Sequence, residues 1–485
     1  MAQEKPNILF ITTDQQRFDT CGPRKPSFLR TPHLDLLAHE GITFDRAYAD
    51  CPICVPSRVQ IMSGQYAWRH GMTRNGASST VLDHENTLPA DLARLGYATV
   101  AVGKMHFSPQ RCRHGFQEMI LPDDYYRQMR RSGNPLQPMR HGLGQCELEP
   151  TMATVPEALT LTSWTAEQCV EYILHRRDPS RPFFMWCSFS KPHPPFDPPE
   201  PYYSMYRQAA IPEPVIGDWC GPEKAPAAFL RGQQEQHYDL LSPEVIREAR
   251  AAYYGLITQI DYNLGRVLSA LQDRDLLRNT MIVFTSDHGE MLGDHRAGGK
   301  GMYHDPSARL PMILRPPRTW DAMKRGETCS ALTSLADVRP TLVAAAGGRS
   351  GKEVDGCNLV DMAHGNAQPR SCLEGVMGHL EIPNYLAVLD QRWKYIYYPE
   401  GAVEQLFDMQ EDPFETHDLG QCLKSESQRL TMRNLLEERL ARRNSPHLRD
   451  GRLPILPLRG DTVAERRASR WPGLHTDELD YDVRH

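Results

Sequence analysis

Four runs of apolar and β-branched residues, each of strand length and each ending in polar residues, constrain this chain more than any other feature. They are Asn7 to Thr13, Ala98 to Val102, Phe183 to Phe189 and Met281 to Thr285. A run without polar alternation reads as a strand covered on both faces, which is the habit of parallel sheets. Helical spacing lies between the runs. Leu88 to Leu95 stops at Gly96, a residue suited to the position past a helix end. Ser242-Pro243-Glu244 reads as an N-cap followed by proline at the first helical position. Val245, Ala249, Ala252, Leu256, Ile260, Leu264, Val267, Leu268 and Leu271 then recur at three- and four-residue steps, which predicts one long amphipathic helix. This alternation predicts an α/β fold, a large, mixed, mostly parallel sheet sandwiched by helices.

The residues after each strand carry the chemistry. The first strand runs into Asp14-Gln15, the second into Gly103-Lys104-Met105-His106, the third into Ser190-Lys191-Pro192-His193, and the fourth into Ser286-Asp287-His288-Gly289-Glu290. Open parallel sheets bind ligands beyond the carboxyl ends of their strands. Four parallel strands would bring these groups to one edge. Asp14, Gln15, Asp287 and His288 offer hard oxygen donors and one imidazole, a set that suits calcium, magnesium or manganese better than zinc alone. Taken singly, Asp14 or Asp287 equally well caps a following helix.

Composition narrows the class. The 485 residues carry 55 Lys plus Arg against 61 Asp plus Glu, a formal charge of −6. That balance gives no general drive toward nucleic acid or an anionic membrane. No uncharged apolar run reaches the ~18–20 residues needed to span a bilayer. Twelve cysteines in a chain of this length are too sparse for a disulfide scaffold. The N-terminus lacks the basic start and cleavage site of a signal peptide, so a cytoplasmic protein with reduced cysteines is expected.

The length divides into three parts. Residues 1–370 read as a catalytic α/β domain. From 371 to 444, short strands at Tyr385 to Leu389, Trp393 to Tyr398 and Gln405 to Asp408, then a helix over Ser425 to Arg443, predict a smaller α+β subdomain with an antiparallel sheet. Residues 445–485, rich in Arg and Pro, read as an extended arm that crosses to a neighbouring subunit.

Cys51-Pro52-Ile53-Cys54-Val55-Pro56-Ser57-Arg58 admits several readings. A zinc site lacks a second C-x-x-C pair. A thioredoxin-like motif belongs to a much smaller fold. A cysteine phosphatase loop needs Cys and Arg six positions apart, a spacing neither cysteine has to Arg58. The remaining reading is Cys-x-Pro-Ser-Arg at the mouth of a helix, which favours a tetrahedral oxyanion.

At this point the chain resembles the sulfatase family of the alkaline-phosphatase-like superfamily. Cys54-Val55-Pro56-Ser57-Arg58 with Met62-Ser63-Gly64 matches the family signature. The match extends to Asp14, Asn75, Lys104, His106, His193, Asp287, His288 and Lys300, and to the segment from Phe284 to His295. Pro192-His193-Pro194-Pro195-Phe196, Tyr254 to Thr258 and Gly299-Lys300 are similar to phosphonate monoester hydrolases and phosphodiesterases, and so is Asp14-Gln15. Those enzymes usually carry Tyr and Thr where this chain has Lys104 and His106, which are the sulfatase form.

The resemblance implies hydrolysis of aryl, alkyl or carbohydrate sulfate monoesters, with phosphonate or phosphate diester hydrolysis as the alternative. It implies that Cys54 is converted to formylglycine, whose hydrate is the nucleophile, by a formylglycine-generating or anaerobic sulfatase-maturing enzyme. It implies one divalent cation, calcium with manganese as the alternative, held by Asp14, Gln15, Asp287, His288 and modified Cys54. Lys104 and Lys300 would grip the sulfate, Asn75 would hydrogen-bond it, His193 or Lys300 would protonate the leaving alcohol, His106 would act as base, and Arg58 would orient the nucleophile. A homodimer or homotetramer is expected. A pseudoenzyme or binding protein on this fold would have lost several of these residues, and none of the positions is empty. Specificity is expected from loops 107–150 and 196–240, with Arg113, His114 and Trp219 as candidates.

Overall fold

The computed structural model describes residues 5–76, 82–133, 136–144, 147–235, 238–320, 322–350, 354–379 and 382–459. Its strands in chain order are β1 (Asn7–Asp14), β2 (Ile42–Phe44), β3 (Ala47–Tyr48), β4 (Ala98–Gly103), β5 (Glu118–Ile120), β6 (Phe183–Pro192), β7 (Thr280–Ser286), β8 (Arg309–Leu310), β9 (Met312–Arg315), β10 (Glu327–Cys329), β11 (Thr333–Ser334), β12 (Leu373–Gly378), β13 (Pro383–Leu389), β14 (Trp393–Tyr398) and β15 (Val403–Asp408). Eight of them form one sheet in the order β10-β2-β9-β7-β1-β6-β4-β5. All run in one direction except β9, which is antiparallel to both its neighbours. The four strands expected from sequence, β7, β1, β6 and β4, are adjacent in this order, and they are parallel. β3, β8 and β11 make a small separate sheet. The short strands β2, β5, β9 and β10 escaped the sequence reading, because three or four residues carry too little pattern to stand out.

The period of two along β1 divides the core. Ile8 and Phe10 point into one hydrophobic cluster, and Leu9 and Ile11 into the other. On the first side Phe10 lies 5.0 Å from Trp186, ring centre to ring centre, and Trp186 Nε1 donates to Thr12 Oγ1 at 2.8 Å. The helices Cys54–Ser63, Leu88–Arg94 and Val338–Ala345 cover that side through Ile61, Met62, Leu92 and Leu342. The second side is covered by the predicted long helix, Pro243–Asp273, through Ile260, Leu264, Val267 and Leu271. Ser242 caps that helix by accepting from Val245 N. Each large apolar side chain buried in these layers is worth about 1.5–3 kcal/mol.

The C-terminal unit is a four-stranded antiparallel sheet in the order β12-β13-β14-β15. Leu386 and Val388 face the helix Glu426–Arg442, meeting Met432, Leu436 and Leu440. Tyr385, Ala387 and Leu389 face the main domain, packing with Tyr48, Trp219 and Tyr303. Of the arm expected over 445–485, residues 445–459 are described and turn back onto this sheet. Gly401 N donates to Leu456 O at 3.0 Å, and Leu456 N to Pro399 O at 2.8 Å. The remaining part of the arm, 460–485, lies outside the described residues. Among the described residues no helix is long and apolar enough to cross a membrane.

Candidate active site

The parallel register delivers the strand ends together. Thr12 of β1 lies opposite Ser188 of β6, and Thr13 opposite Ser286 of β7. One residue on, Asp14 and Asp287 are both fully buried. Gln15 follows with φ of 73°, and its N–H donates to Asp287 Oδ1 at 3.2 Å. The chain leaves β4 at Gly103, whose φ is +94° and where a Cβ would sit 2.0 Å from Ser188 O. Only glycine permits that approach, and it turns Lys104 back so that its N–H donates to Ser188 O at 2.9 Å.

Cys54 is the first residue of a helix whose ten residues are all buried and which ends at Gly64 in the left-handed conformation. Its sulfur stands 3.2 Å from His288 Nε2 and 3.9 Å from Asp14 Oδ1. His288 Nε2 is 3.6 Å from both Asp14 Oδ1 and Asp287 Oδ1. The other ring nitrogen, Nδ1, lies 3.0 Å from Gly289 O. Nδ1 facing that carbonyl leaves Nε2 as the nitrogen turned toward the carboxylates, the orientation usual in a metal-ligating histidine. Asp14, Cys54, Asp287 and His288 place one ligand atom each within 4.8 Å of one another.

Arg58, one helical turn beyond Cys54, is fully buried. Its Nε donates to Asp287 Oδ2 at 3.0 Å, its Nη2 reaches Asp14 Oδ2 at 3.5 Å, and its Nη1 donates to Ser188 Oγ at 2.9 Å and to Lys104 O. Lys104 Nζ lies 2.6 Å from Asp14 Oδ2. Lys300 Nζ lies 2.5 Å from Gln15 Oε1 and 2.7 Å from His193 Nε2. His193 Nδ1 is 2.8 Å from Pro194 O. The Asn75 side-chain oxygen accepts from Val55 N at 3.0 Å, against the start of the Cys54 helix. His106 has φ of 59°, and its Nδ1 is buried without a partner.

The charges sort accordingly. Burial opposes ionisation of Cys54, but Lys300, Lys104, His288 and a hydrogen bond from His106 hold its thiol well below the ordinary range. Burial and Cys54 push Asp14 up, and Lys104, His193 and Lys300 more than reverse it, leaving it below the usual carboxylate range. Asp287 is raised by burial and by the charge of Asp14. Burial, then Lys300 and Lys104, bring His193 down to about 4, so it is neutral at neutral pH.

Every site residue expected from sequence is therefore in or against this cluster. The sequence reading missed three that orient it. Glu290 is fully buried; it takes the Gln15 amide N–H2 on Oε2 and the Leu292 and Gly299 N–H groups on Oε1. Ser188 joins Thr12, Arg58 and Lys104. Ser286 accepts from Gln16 N. Glu290 was visible as the acidic end of the fourth polar segment; the serines had no distinguishing signal. Trp219, a specificity candidate, is a packing residue. Its ring stacks on His304 at 4.6 Å and touches Phe229, His295 and Phe407. Arg113 is exposed and donates to Gln117 O.

Known proteins bear on this geometry. Residues 6–348 match the family model described as Sulfatase, and residues 293–445 match N-sulphoglucosamine sulphohydrolase, C-terminal. An arylsulfatase of Clostridium perfringens is 33% identical over 440 residues, covering 86% of this chain and 90% of its own. A choline-sulfatase of Rhizobium meliloti is 29% identical, covering 87% and 83%. Among solved structures, the phosphonate monoester hydrolase of Agrobacterium radiobacter superposes with a TM-score of 0.77 at 25% identity, over 91% of this chain and 96% of that one.

Proposed function

The chain belongs to the sulfatase family, and from that membership we propose how its buried cluster hydrolyses a sulfate ester. The protein is a sulfuric ester hydrolase of the alkaline-phosphatase-like superfamily. The observation that carries the reading of the site is the Asp14–Cys54–Asp287–His288 cluster with Lys104, Lys300 and His193 gathered around it.

Asp14, Asp287, His288, the Gln15 side-chain oxygen and the residue at 54 are proposed to hold one divalent cation. Two carboxylates, an amide oxygen and one imidazole are a donor set that would suit calcium, with manganese as the alternative. Such a cation supplies positive charge to the sulfuryl oxygens and acidifies a nucleophile beside it. Conversion of Cys54 to formylglycine by a maturation enzyme is proposed as the source of that oxygen nucleophile.

The chain's own groups do the rest. Lys104 and Lys300 bind sulfate oxygens and stabilise charge as it develops. The side-chain N–H2 of Asn75 adds a hydrogen bond. Arg58 fixes residue 54 through the two aspartates it bridges. Lys300 Nζ lies 2.7 Å from His193 Nε2; neutral His193, whose Nδ1 faces Pro194 O, accepts from that ammonium and positions it, and Lys300 gives the proton to the leaving oxygen. His106, beside residue 54, takes the proton released there in the second half of the reaction.

Two measurements test this. Peptide mass spectrometry of active enzyme should show a loss of about 18 Da at Cys54, because an SH is replaced by an aldehyde oxygen; full activity with an intact thiol overturns the nucleophile assignment. The kcat/KM for an aryl sulfate should exceed that for a matched phosphonate monoester, and the reverse order would move the chain to the phosphonate hydrolase reading.

A further inference from the structure

Among the described residues, one other group of histidine, cysteine and acidic side chains brings its ligand atoms together. His84, Cys112 and His114 place theirs within 4.8 Å of one another. His114 has no exposed surface, yet both of its ring nitrogens lack a hydrogen-bond partner. Buried polar groups are nearly always satisfied, so this imidazole points to a ligand. Its ring stacks on that of His84 at 5.4 Å and 22°.

The backbone holds the three residues in place. His84 sits in a turn closed by Asn86 N to Asp83 O at 2.9 Å. Cys112 and His114 lie in turns closed by Cys112 N to Pro109 O at 3.0 Å and Phe116 N to Arg113 O at 2.8 Å. The two loops meet where Thr87 Oγ1 donates to His114 O at 2.6 Å. Gly115 allows that contact, since a Cβ there would lie 2.6 Å from Ala90 N. The neighbouring guanidiniums are directed elsewhere, Arg111 to Asp124 and Arg113 to Gln117 O.

We propose that His84, Cys112 and His114 form a second cation site, of the zinc class, which fastens the loop following Lys104 and His106 to the turn before the helix Leu88–Arg94. One thiolate and two imidazoles select zinc over calcium or magnesium. Tetrahedral zinc needs nitrogen and sulfur ligands about 3.5 Å apart, a modest contraction of the present cluster. Binding releases the thiol proton of Cys112 to solvent. Exposed His84 leaves the fourth position to water. The site is separate from the oxygen-rich cluster at Asp14 and does not depend on the role proposed for it.

The test uses the full chain saturated with calcium, so that the first cluster cannot account for added zinc. Metal analysis after dialysis against zinc should find one zinc per chain, and cobalt in its place should show visible tetrahedral bands with a near-ultraviolet thiolate band. Cys112→Ala should abolish the thiolate band and weaken zinc binding about 100-fold. His84→Ala, a change at an exposed residue, should weaken it about 10-fold, and zinc should raise the Tm of the wild type more than that of either variant. Equal zinc binding by the wild type and both variants, or cobalt spectra without a thiolate component, would overturn the site.

Discussion

Lys394 and Lys104 each set an ammonium against an aspartate, at 2.5 Å from Asp305 and 2.6 Å from Asp14. Around Lys394 every carboxylate oxygen has a partner. Asp305 also takes Tyr48 OH and Arg309 Nη1, both at 3.0 Å, and Glu415 takes both Lys394 Nζ and Asp305 N at 2.7 Å. Lys394 itself is fully buried, and it joins the small sheet to the main domain. Lys104 keeps 18% of its side chain exposed. Around it two buried carboxylates, the Cys54 sulfur and the Nε2 of His288 converge. A saturated cluster can only hold two parts together. One with open valences can take up an anion and a cation, at the expense of stability.

The comparison is sharpest at residue 54. Cys54→Ala should lower kcat/KM for an aryl sulfate by more than about 10⁴-fold, since the nucleophile is gone, with Tm within a few degrees of wild type. A large Tm loss would show that the site holds the fold as Lys394 does. Next in size, Lys394→Met should cost about 3–5 kcal/mol in denaturant unfolding, because Asp305 and Glu415 are left buried without their cation. Combining it with Asp305→Asn and Glu415→Gln should recover much of that loss, and no recovery would contradict the ion-pair account. Lys104→Ala should reduce kcat/KM by roughly 10²–10³-fold, the size of one lost transition-state contact, with sulfate inhibition weakened in parallel. An unchanged inhibition constant would remove Lys104 from the anion site.

The smallest effect concerns acid. His295 is buried, its Nδ1 accepts from Gly217 N at 3.2 Å, and burial brings it down to about 4. The unfolded chain protonates this histidine near 6.5 while the folded protein does not, so its stabilising share is complete above 6.5 and is lost as pH falls toward 4. Between pH 8 and pH 5 the loss is about 2 kcal/mol from this residue. His295→Gln should flatten the decline in stability over that interval; an equally steep decline would assign it to other groups.

Much of the architecture was legible before any coordinates. The runs ending at Thr13, Val102, Phe189 and Thr285 became four adjacent parallel strands, because a buried parallel strand must be apolar on both faces and so stands out as a block. The helix from Pro243 carried a cap, a proline and a long period, and all three were honoured. The short strands β2, β5, β9 and β10 were not legible, since their residues pair as they do only because a longer neighbour is already in place. Trp219 drew notice as a large aromatic in a specificity loop, but solvent exposure is a property of the packed chain, and this ring is enclosed. The arm showed no apolar periodicity, yet its first part is held by backbone hydrogen bonds to Pro399 and Gly401, which leave no mark in side-chain pattern.

What the sequence determined by itself is the chemistry available at each strand end and the helix-mouth setting of Cys54, because these follow from residue type and spacing along one segment. The tertiary structure decided which of these groups touch. Register between β1, β6 and β7 puts Ser188 and Ser286 beside Asp14 and Asp287, Glu290 behind Gln15, and Arg58 across both aspartates. It also decided that Cys112 and His114 meet His84 from another loop. Contacts between segments distant in the chain depend on how strands align and how loops return. Those are set by the burial of the whole core, and no local stretch of residues encodes them alone.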